Sequence, residues 1–357
     1  MAIACVALPV IQAHPDVQGV CFAVSIENHA VDKLDTSEGL VFKRSTGRYW
    51  VRQDGRTVLC ALSSTLRKQI IYPTRDPASL GYFKAVGVGE IEAVDPVALG
   101  DRVRFRDALN DEGQIVEVLP RDSKLTRRAP GKKPLEQVVV ANADQVIVTV
   151  AATFPQPSPT TIDRYLVSAE AAYLPAALVV TKWDDDPKPD WLADAIALYR
   201  RIGYPVVITS ARSGEGLDEL RALLAGKFSV LVGKSGVGKS SLLNALQPGL
   251  GLRVSEVNAY HGEGRHTTTH LEMFVLEGGG AIVDTPGMRG FNLWDVPEDE
   301  IIELFPELEE AWGRCKFADC THRHEPGCAI RAALADGTLA ASRYESYLKV
   351  RWDADGE

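Results

Sequence analysis

From residue 145 to 283, short apolar runs alternate with segments whose apolar positions recur every three to four residues. The runs at 145–151, 176–181, 205–210, 228–232, 273–276 and 280–283 read as strands. The segments at 161–172, 191–202 and 216–224 read as helices. The first has Ile162, Tyr165, Leu166 and Ala169 on one face. This β and α alternation predicts a doubly wound α/β domain, with a ligand at the carboxyl ends of its strands.

Upstream, the pattern changes. Runs at 39–43, 48–52, 57–62, 86–93, 102–105 and 114–119 are separated by turn pairs such as Thr46-Gly47 and Asp54-Gly55. Such spacing suits an OB-type β-barrel over 39–120. Tyr49, Trp50 and nearby arginines either stack on single-stranded RNA or, for the aromatics, fill the barrel core. Residues 121–134 form a basic linker containing Pro and Gly. The α/β domain then spans 135–292. A helical domain spans 293–357, with helices at 298–308 and 344–350 and a frayed acidic tail. Residues 1–38 are an N-terminal extension in which only 20–26 reads as a strand.

The net charge of −9 argues against a nucleic-acid partner for the chain as a whole. Locally the sign reverses. Arg121, Lys124, Arg127, Arg128, Lys132 and Lys133 crowd the linker, with Asp122 the lone acid among them. That stripe either binds a phosphate backbone or is a solvated connection. No apolar run approaches the roughly 18 residues of a membrane span. The N-terminus lacks a basic region ahead of its apolar stretch. The expectation is a cytoplasmic protein with no membrane partner.

The chemistry concentrates on Gly233, Lys234, Ser235, Gly236, Val237, Gly238, Lys239 and Ser240. This G-x-x-x-x-G-K-S run lies between a strand and a helix, the context of a phosphate-binding loop. The glycines let backbone N–H groups turn toward phosphate oxygens, and the helix N-terminus adds its dipole. Lys239 would reach the β- and γ-phosphates, and the Ser240 hydroxyl would ligate Mg²⁺. Asp284, with Thr285, Pro286 and Gly287, ends a strand, where its carboxylate can hold Mg²⁺ through water; the Gly287 N–H could bond the γ-phosphate. Thr181, Lys182, Trp183 and Asp184 close another strand. A carboxylate there accepts from guanine N1–H and the 2-amino group, a donor pair adenine lacks, so Asp184 would select GTP over ATP. The Lys182 stem would lie on the base, and the backbone of Ser210 and Ala211 would meet guanine O6. The loop 264–269, with His266, Thr267, Thr268 and Thr269, would act as a switch, offering a hydroxyl to Mg²⁺.

Cys315, Cys320, His322 and Cys328 supply three sulfurs and one imidazole, a full tetrahedral set for one structural Zn²⁺. His324 is an alternative ligand. Cys5, Cys21 and Cys60 lie among apolar residues and are expected to be inert.

In ordinary GTPases the phosphate loop precedes the guanine-reading residues. Here Asp184 and Ser210 precede Gly233, and Thr267 and Asp284 follow it, so the domain looks circularly permuted. A barrel, a permuted GTPase and a Cys-x4-Cys-x-His-x5-Cys domain, in that order, resemble the RsgA (YjeQ) family. The resemblance spans 39–350 and is most specific at 233–241, 264–269, 284–287 and 315–328, which adds Ser241 to the nucleotide-contacting residues. It implies a GTPase, with GTP, Mg²⁺ and Zn²⁺, that binds the small ribosomal subunit and its rRNA, assists late maturation, and is stimulated by the subunit. A monomer is expected. It also points to His266 as the group that orients the attacking water, since Met288 stands where many GTPases carry Gln, and to Thr268 as a Mg²⁺ ligand. Thr181 departs from the usual Asn, whose reach across to the phosphate loop is longer. A GTP-gated RNA-binding module with incidental turnover is the alternative.

Overall fold

A computed structural model describes residues 36–67, 95–108, 110–129, 135–252, 271–285, 296–309 and 311–352. The first layer is a closed barrel. Its strands are β1 (Ser37–Ser45), β2 (Arg48–Gln53), β3 (Arg56–Leu62), β4 (Arg102–Asp107) and β5 (Glu112–Val118), with a short helix α1 (Ser64–Arg67) after β3. They pair in the order β1-β2-β3-β5-β4, and β4 returns to β1 through Ser37↔Phe105 to Leu40↔Arg102. Only β3 and β5 run parallel. This closed five-strand order is OB-like and leaves no open edge in the ring. Alternate residues Val41, Tyr49, Val51, Val58, Cys60, Val103, Phe105 and Ile115 fill it. Tyr49 is therefore a core residue, 1 % exposed, and its hydroxyl donates to Asp95. Of the two aromatics proposed for RNA stacking, only Trp50 remains at the surface, partly buried, with Lys43 Nζ 5.5 Å from its ring. Burial pushes the Cys60 thiol up to about 12, which keeps it inert.

Part of the basic segment is a strand. Strand β6 (Lys124–Arg128) pairs antiparallel with β7 (Glu136–Ala141). Several cations of this stretch are engaged internally. Arg121 grips buried Asp101 at 2.7 and 2.8 Å, and Lys124 meets Glu136 at 2.7 Å. Arg127 donates to Gln137 at 2.9 Å. Leu125 is buried in the main core. Composition left open a phosphate-binding stripe or a solvated connection; these three side chains have partners at 101, 136 and 137. Lys132 and Lys133 lie outside the described residues.

The α/β unit follows: β8 (Gln145–Ala151), α2 (Pro159–Ala171), β9 (Ala176–Thr181), α3 (Trp191–Ile202), β10 (Val206–Ile208), α4 (Leu217–Leu224), β11 (Phe228–Val232), α5 (Lys239–Leu246), β12 (Leu271–Val275) and β13 (Ala281–Asp284). The strand order is β10-β9-β8-β11-β13-β12, parallel except for β12 against β13. Every residue of β8 and β9 is buried, because helices cover both faces. Ser158 caps α2 by accepting from the Thr161 N–H, with Pro159 at the first helical position. β12 also pairs with β1 through Lys43↔Glu272 and Arg44↔Leu271, so barrel and α/β sheet form one eleven-stranded surface.

The C-terminal part carries α6 (Pro306–Glu309), α7 (Ala329–Ala335) and α8 (Ala341–Trp352). The single helix expected over 298–308 is instead a 3-10 turn at Ile301–Leu304 followed by α6, broken where Pro306 lacks an N–H. This part packs on α2: Val167 joins Ile301, Phe305, Leu308 and Tyr347 in one apolar cluster. At its centre Arg343, fully buried, bonds Asp163 of α2 and Glu307 of α6, while Tyr199 of α3 donates to Asp163 at 2.7 Å. Among the described residues no helix is long and apolar enough to cross a membrane. The strand expected over 86–93, and all of residues 1–35, lie outside the described residues.

Candidate functional site

The phosphate loop leaves the end of β11 and enters α5 at Lys239. Gly233 has φ +153, and a Cβ there would lie 2.2 Å from the Thr149 carbonyl oxygen, so only glycine fits against β8. Gly238 caps α5 at φ +100. Lys239 is 6 % exposed and donates to the carbonyls of Gly233 (2.9 Å) and Lys234 (3.2 Å). Burial lowers its pKa, against the opposing pull of Asp284. Its ammonium is thus held over the loop where phosphates would sit.

The next group is a candidate cation site. Ser240 Oγ donates to Asp284 Oδ2 at 3.0 Å, across from β13. Asp284 Oδ1 is buried and has no partner among the described residues. A hydroxyl and a carboxylate with one oxygen unsatisfied together suit a hard cation that takes oxygen ligands, as Mg²⁺ does. Thr285 is anchored below them, its hydroxyl donating to the Leu231 carbonyl at 2.6 Å. Gly287 and Met288 lie outside the described residues, as do His266 and Thr268 with the whole 264–269 loop.

The residues expected to read guanine sit at the ends of β9 and β10. The Thr181 hydroxyl lies 2.5 Å from the Val237 carbonyl oxygen and 3.1 Å from that of Val150. With one hydrogen, it donates to the nearer. The short side chain therefore does brace this loop to the phosphate loop, because Val237 comes close enough to be reached. Lys182, at φ +56, adds a second tie: its ammonium donates to Gly236 (2.8 Å) and Phe154 (2.7 Å) carbonyls. Burial lowers the Lys182 pKa, with Asp185 opposing. Trp183 lies beneath Lys188, 5.0 Å from ring centre to Nζ. Asp184 is held below the usual carboxylate range by a hydrogen bond from Ser210, then by its own loop backbone and by Arg212 and Lys188. Ser210 is fully buried and accepts from the N–H groups of Arg212 and Ser213. Ser210 thus stands beside Asp184. Arg212 was not singled out; it bonds Asp184 at 3.0 Å and lies 3.5 Å from Asp185. Lys234, Ser235, Gly236 and Ser241 complete the loop and the first turn of α5.

The second centre is the sulfur cluster. One ligand atom from each of Cys315, Cys320, His322 and Cys328 lies within 4.8 Å of the others. Cys315 and Cys328 Sγ are each 3.5 Å from His322 Nδ1 and 3.9 Å from one another. A tetrahedral ion with bonds of about 2.3 Å to sulfur and about 2.0 Å to nitrogen has edges of about 3.8 and 3.5 Å, so the donor set fits Zn²⁺. Backbone N–H groups of Ala329 and Arg331 point at Cys315 and Cys328 sulfur. Glu325 pulls the intervening loop together by accepting from the N–H groups of Thr321, Arg323 and His324. His324 lies outside the cluster, which leaves His322 as the imidazole donor. Glu325 was not singled out from the sequence.

A relative from Bacteroides fragilis called "Small ribosomal subunit biogenesis GTPase RsgA" is 40 % identical over 323 residues, covering 89 % of this chain and 97 % of that one. The chain belongs to the RsgA GTPase family. The family model "RsgA GTPase" matches residues 118–294. A Gemmatimonas aurantiaca relative of the same name is 47 % identical over 257 residues, 71 % of this chain and 83 % of that one. Among solved structures, YjeQ from Thermotoga maritima matches with a TM-score of 0.64 at 32 % identity, covering 90 % and 99 % of the two chains. YloQ, titled a circularly permuted GTPase, matches at 0.60 and 28 %, covering 89 % and 95 %. As an RsgA GTPase, this chain hydrolyses GTP to GDP and phosphate on a permuted sheet. In it β11, which leads into the glycine-rich loop, follows β9 and β10 in the chain.

Proposed function

We propose that this GTPase binds the small ribosomal subunit, contacts its rRNA, and assists late maturation, with subunit docking accelerating GTP hydrolysis. One observation carries the reading. The similarity to proteins named for small-subunit biogenesis runs through barrel, GTPase and Cys/His domain together, over 89 % of the chain. The cytoplasm and a monomeric state follow from the same reading.

In this proposal Asp184, Lys182, Trp183, Ser210 and Ala211 hold guanine. Gly233 to Ser241 wrap the phosphates, and Lys239 neutralises charge on the β- and γ-oxygens. Mg²⁺ would be held by Ser240 and Thr268, with Asp284 reached through water, and when bound it screens the phosphate oxygens as charge shifts to the leaving group. The Gly287 N–H meets the γ-phosphate. His266 accepts a hydrogen bond from the attacking water and so orients it, a task Met288 cannot perform. Cys315, Cys320, His322 and Cys328 hold one Zn²⁺ that closes the loop in front of α7. It has no position left for substrate, so its role is structural.

The test is release from purified small subunits with GTP and with a non-hydrolysable analogue. Retention with the analogue and release after hydrolysis supports GTP-timed assembly. Equal release with both favours an RNA-binding module whose turnover is incidental. His266→Ala should abolish subunit-stimulated turnover while leaving GDP binding intact; full stimulated turnover would remove His266 from the mechanism.

A further inference from the structure

The carboxylate assigned to guanine already carries a cation from its own chain. Arg212 follows the buried Ser210 by two residues, and its backbone N–H is fixed to Ser210 Oγ at 3.2 Å. That turn aims its side chain back across the loop after β9. Its Nη1 bonds Asp184 Oδ2 at 3.0 Å and lies 3.5 Å from Asp185 Oδ1. The Arg212 side chain is 78 % exposed and that of Asp184 22 %, so the arginine side of the pair faces water and can swing away at little cost.

Guanine and arginine are chemically alike at this edge. N1–H and the 2-amino group of guanine sit on one carbon and form a planar pair of donors. A guanidinium presents the same planar fork to a carboxylate. The two therefore compete for the same oxygens.

We infer that Arg212 is a built-in competitor for guanine at Asp184, and that nucleotide capture requires its displacement onto Asp185. The inference rests on Asp184 as the base-reading residue. Asp185 gives the displaced guanidinium a second carboxylate, so the switch leaves no charge stranded. A competitor of this kind acts on the protein before nucleotide arrives. It lowers the association rate and leaves dissociation untouched, because it is already displaced in the complex. An arginine that instead packed on the base would do the opposite and slow dissociation.

The experiment is stopped-flow binding of GDP carrying a fluorescent ribose label to the full-length protein, comparing wild type with Arg212→Ala and Arg212→Lys. Removing an exposed pair of this kind should raise the association rate about two- to five-fold, with the dissociation rate unchanged. Lysine, which lacks the planar fork, should fall between. The gap between wild type and Arg212→Ala should narrow as salt screens the exposed pair. In an Asp184→Asn background, Arg212→Ala should have no further effect on association. An unchanged association rate, or a faster dissociation rate, in Arg212→Ala overturns the competition. Asp184→Asn also tests the underlying reading by itself: if it keeps full preference for guanine over adenine nucleotides, the base-reading assignment fails whatever Arg212 does.

Discussion

Arg343→Met tests how the C-terminal domain is tied to the GTPase. The Arg343 side chain is 1 % exposed and lies 2.5 Å from Asp163, which is fully buried on α2. It also donates to Glu307 Oε2 at 3.0 Å and stacks 4.7 Å above the Phe305 ring. Burial opposes the charge on Arg343, yet the two carboxylates outweigh it and hold its pKa above the ordinary value. Methionine fills much of the same volume but leaves the buried Asp163 carboxylate facing neutral hydroxyls, with Tyr199 donating to it at 2.7 Å. Breaking one side of a buried pair costs about 3–5 kcal/mol. For a chain of 357 residues that corresponds to a fall of about 4–7 °C in Tm. Urea unfolding followed by circular dichroism gives the free energy, and hydrogen exchange should show α8 and α2 losing protection together. The companion variant Asp163→Asn/Arg343→Met removes both buried charges and should regain at least half of the loss, since Glu307 can turn to water. A loss below about 1 kcal/mol in the single variant, or no recovery in the double, would refute the view that this pair joins the two domains.

Three further outcomes follow from the site geometry. Thr181→Val deletes the hydroxyl that reaches Val237, so the phosphate loop loses one brace and the Kd for GDP should rise about five-fold, for a lost bond of about 1 kcal/mol; an unchanged Kd would show that Lys182 alone suffices. Cys328→Ser removes one of four donors and also a sulfur that accepts from the Arg331 N–H at the start of α7, so metal content measured by mass spectrometry should drop from one zinc per chain toward zero, with exchange protection lost in α7. Asp184 is held below the ordinary carboxylate range, so its ionised form persists as pH falls and is lost only on passing its lowered folded pKa. Guanine preference should therefore stay flat from neutral pH to about 5, one unit above the ordinary Asp value; a decline centred in that window would contradict the lowered pKa.

Much of the α/β unit is legible in the chain because its strands are buried on both faces. The runs at β8, β9 and β11 are mostly apolar, and their bounds coincide with those read from pattern. The phosphate loop and the Cys/His set are equally plain, since few other arrangements of Gly, Lys, Cys and His have that spacing. Strand β6 is hidden for a physical reason: Leu125 is its one buried apolar residue, and the strand exists through its ladder with β7. Nothing local to Arg121 announces Asp101, twenty positions back and fully buried. Tyr49 and Trp50 are adjacent, so alternation sends one to the core and one outward; which is which depends on barrel closure. Pro306 was visible and marks the break in the C-terminal helix. The Thr181 brace depends on how near Val237 approaches, a distance set by the packing of β9 against the phosphate loop.

GTP turnover by the full-length chain, with and without purified small ribosomal subunits and with ATP in parallel, bears most directly on the central claim. Slow GTP hydrolysis alone, marked acceleration by the subunit and no matching turnover of ATP are the expected result. Equal GTP turnover with and without the subunit would contradict it.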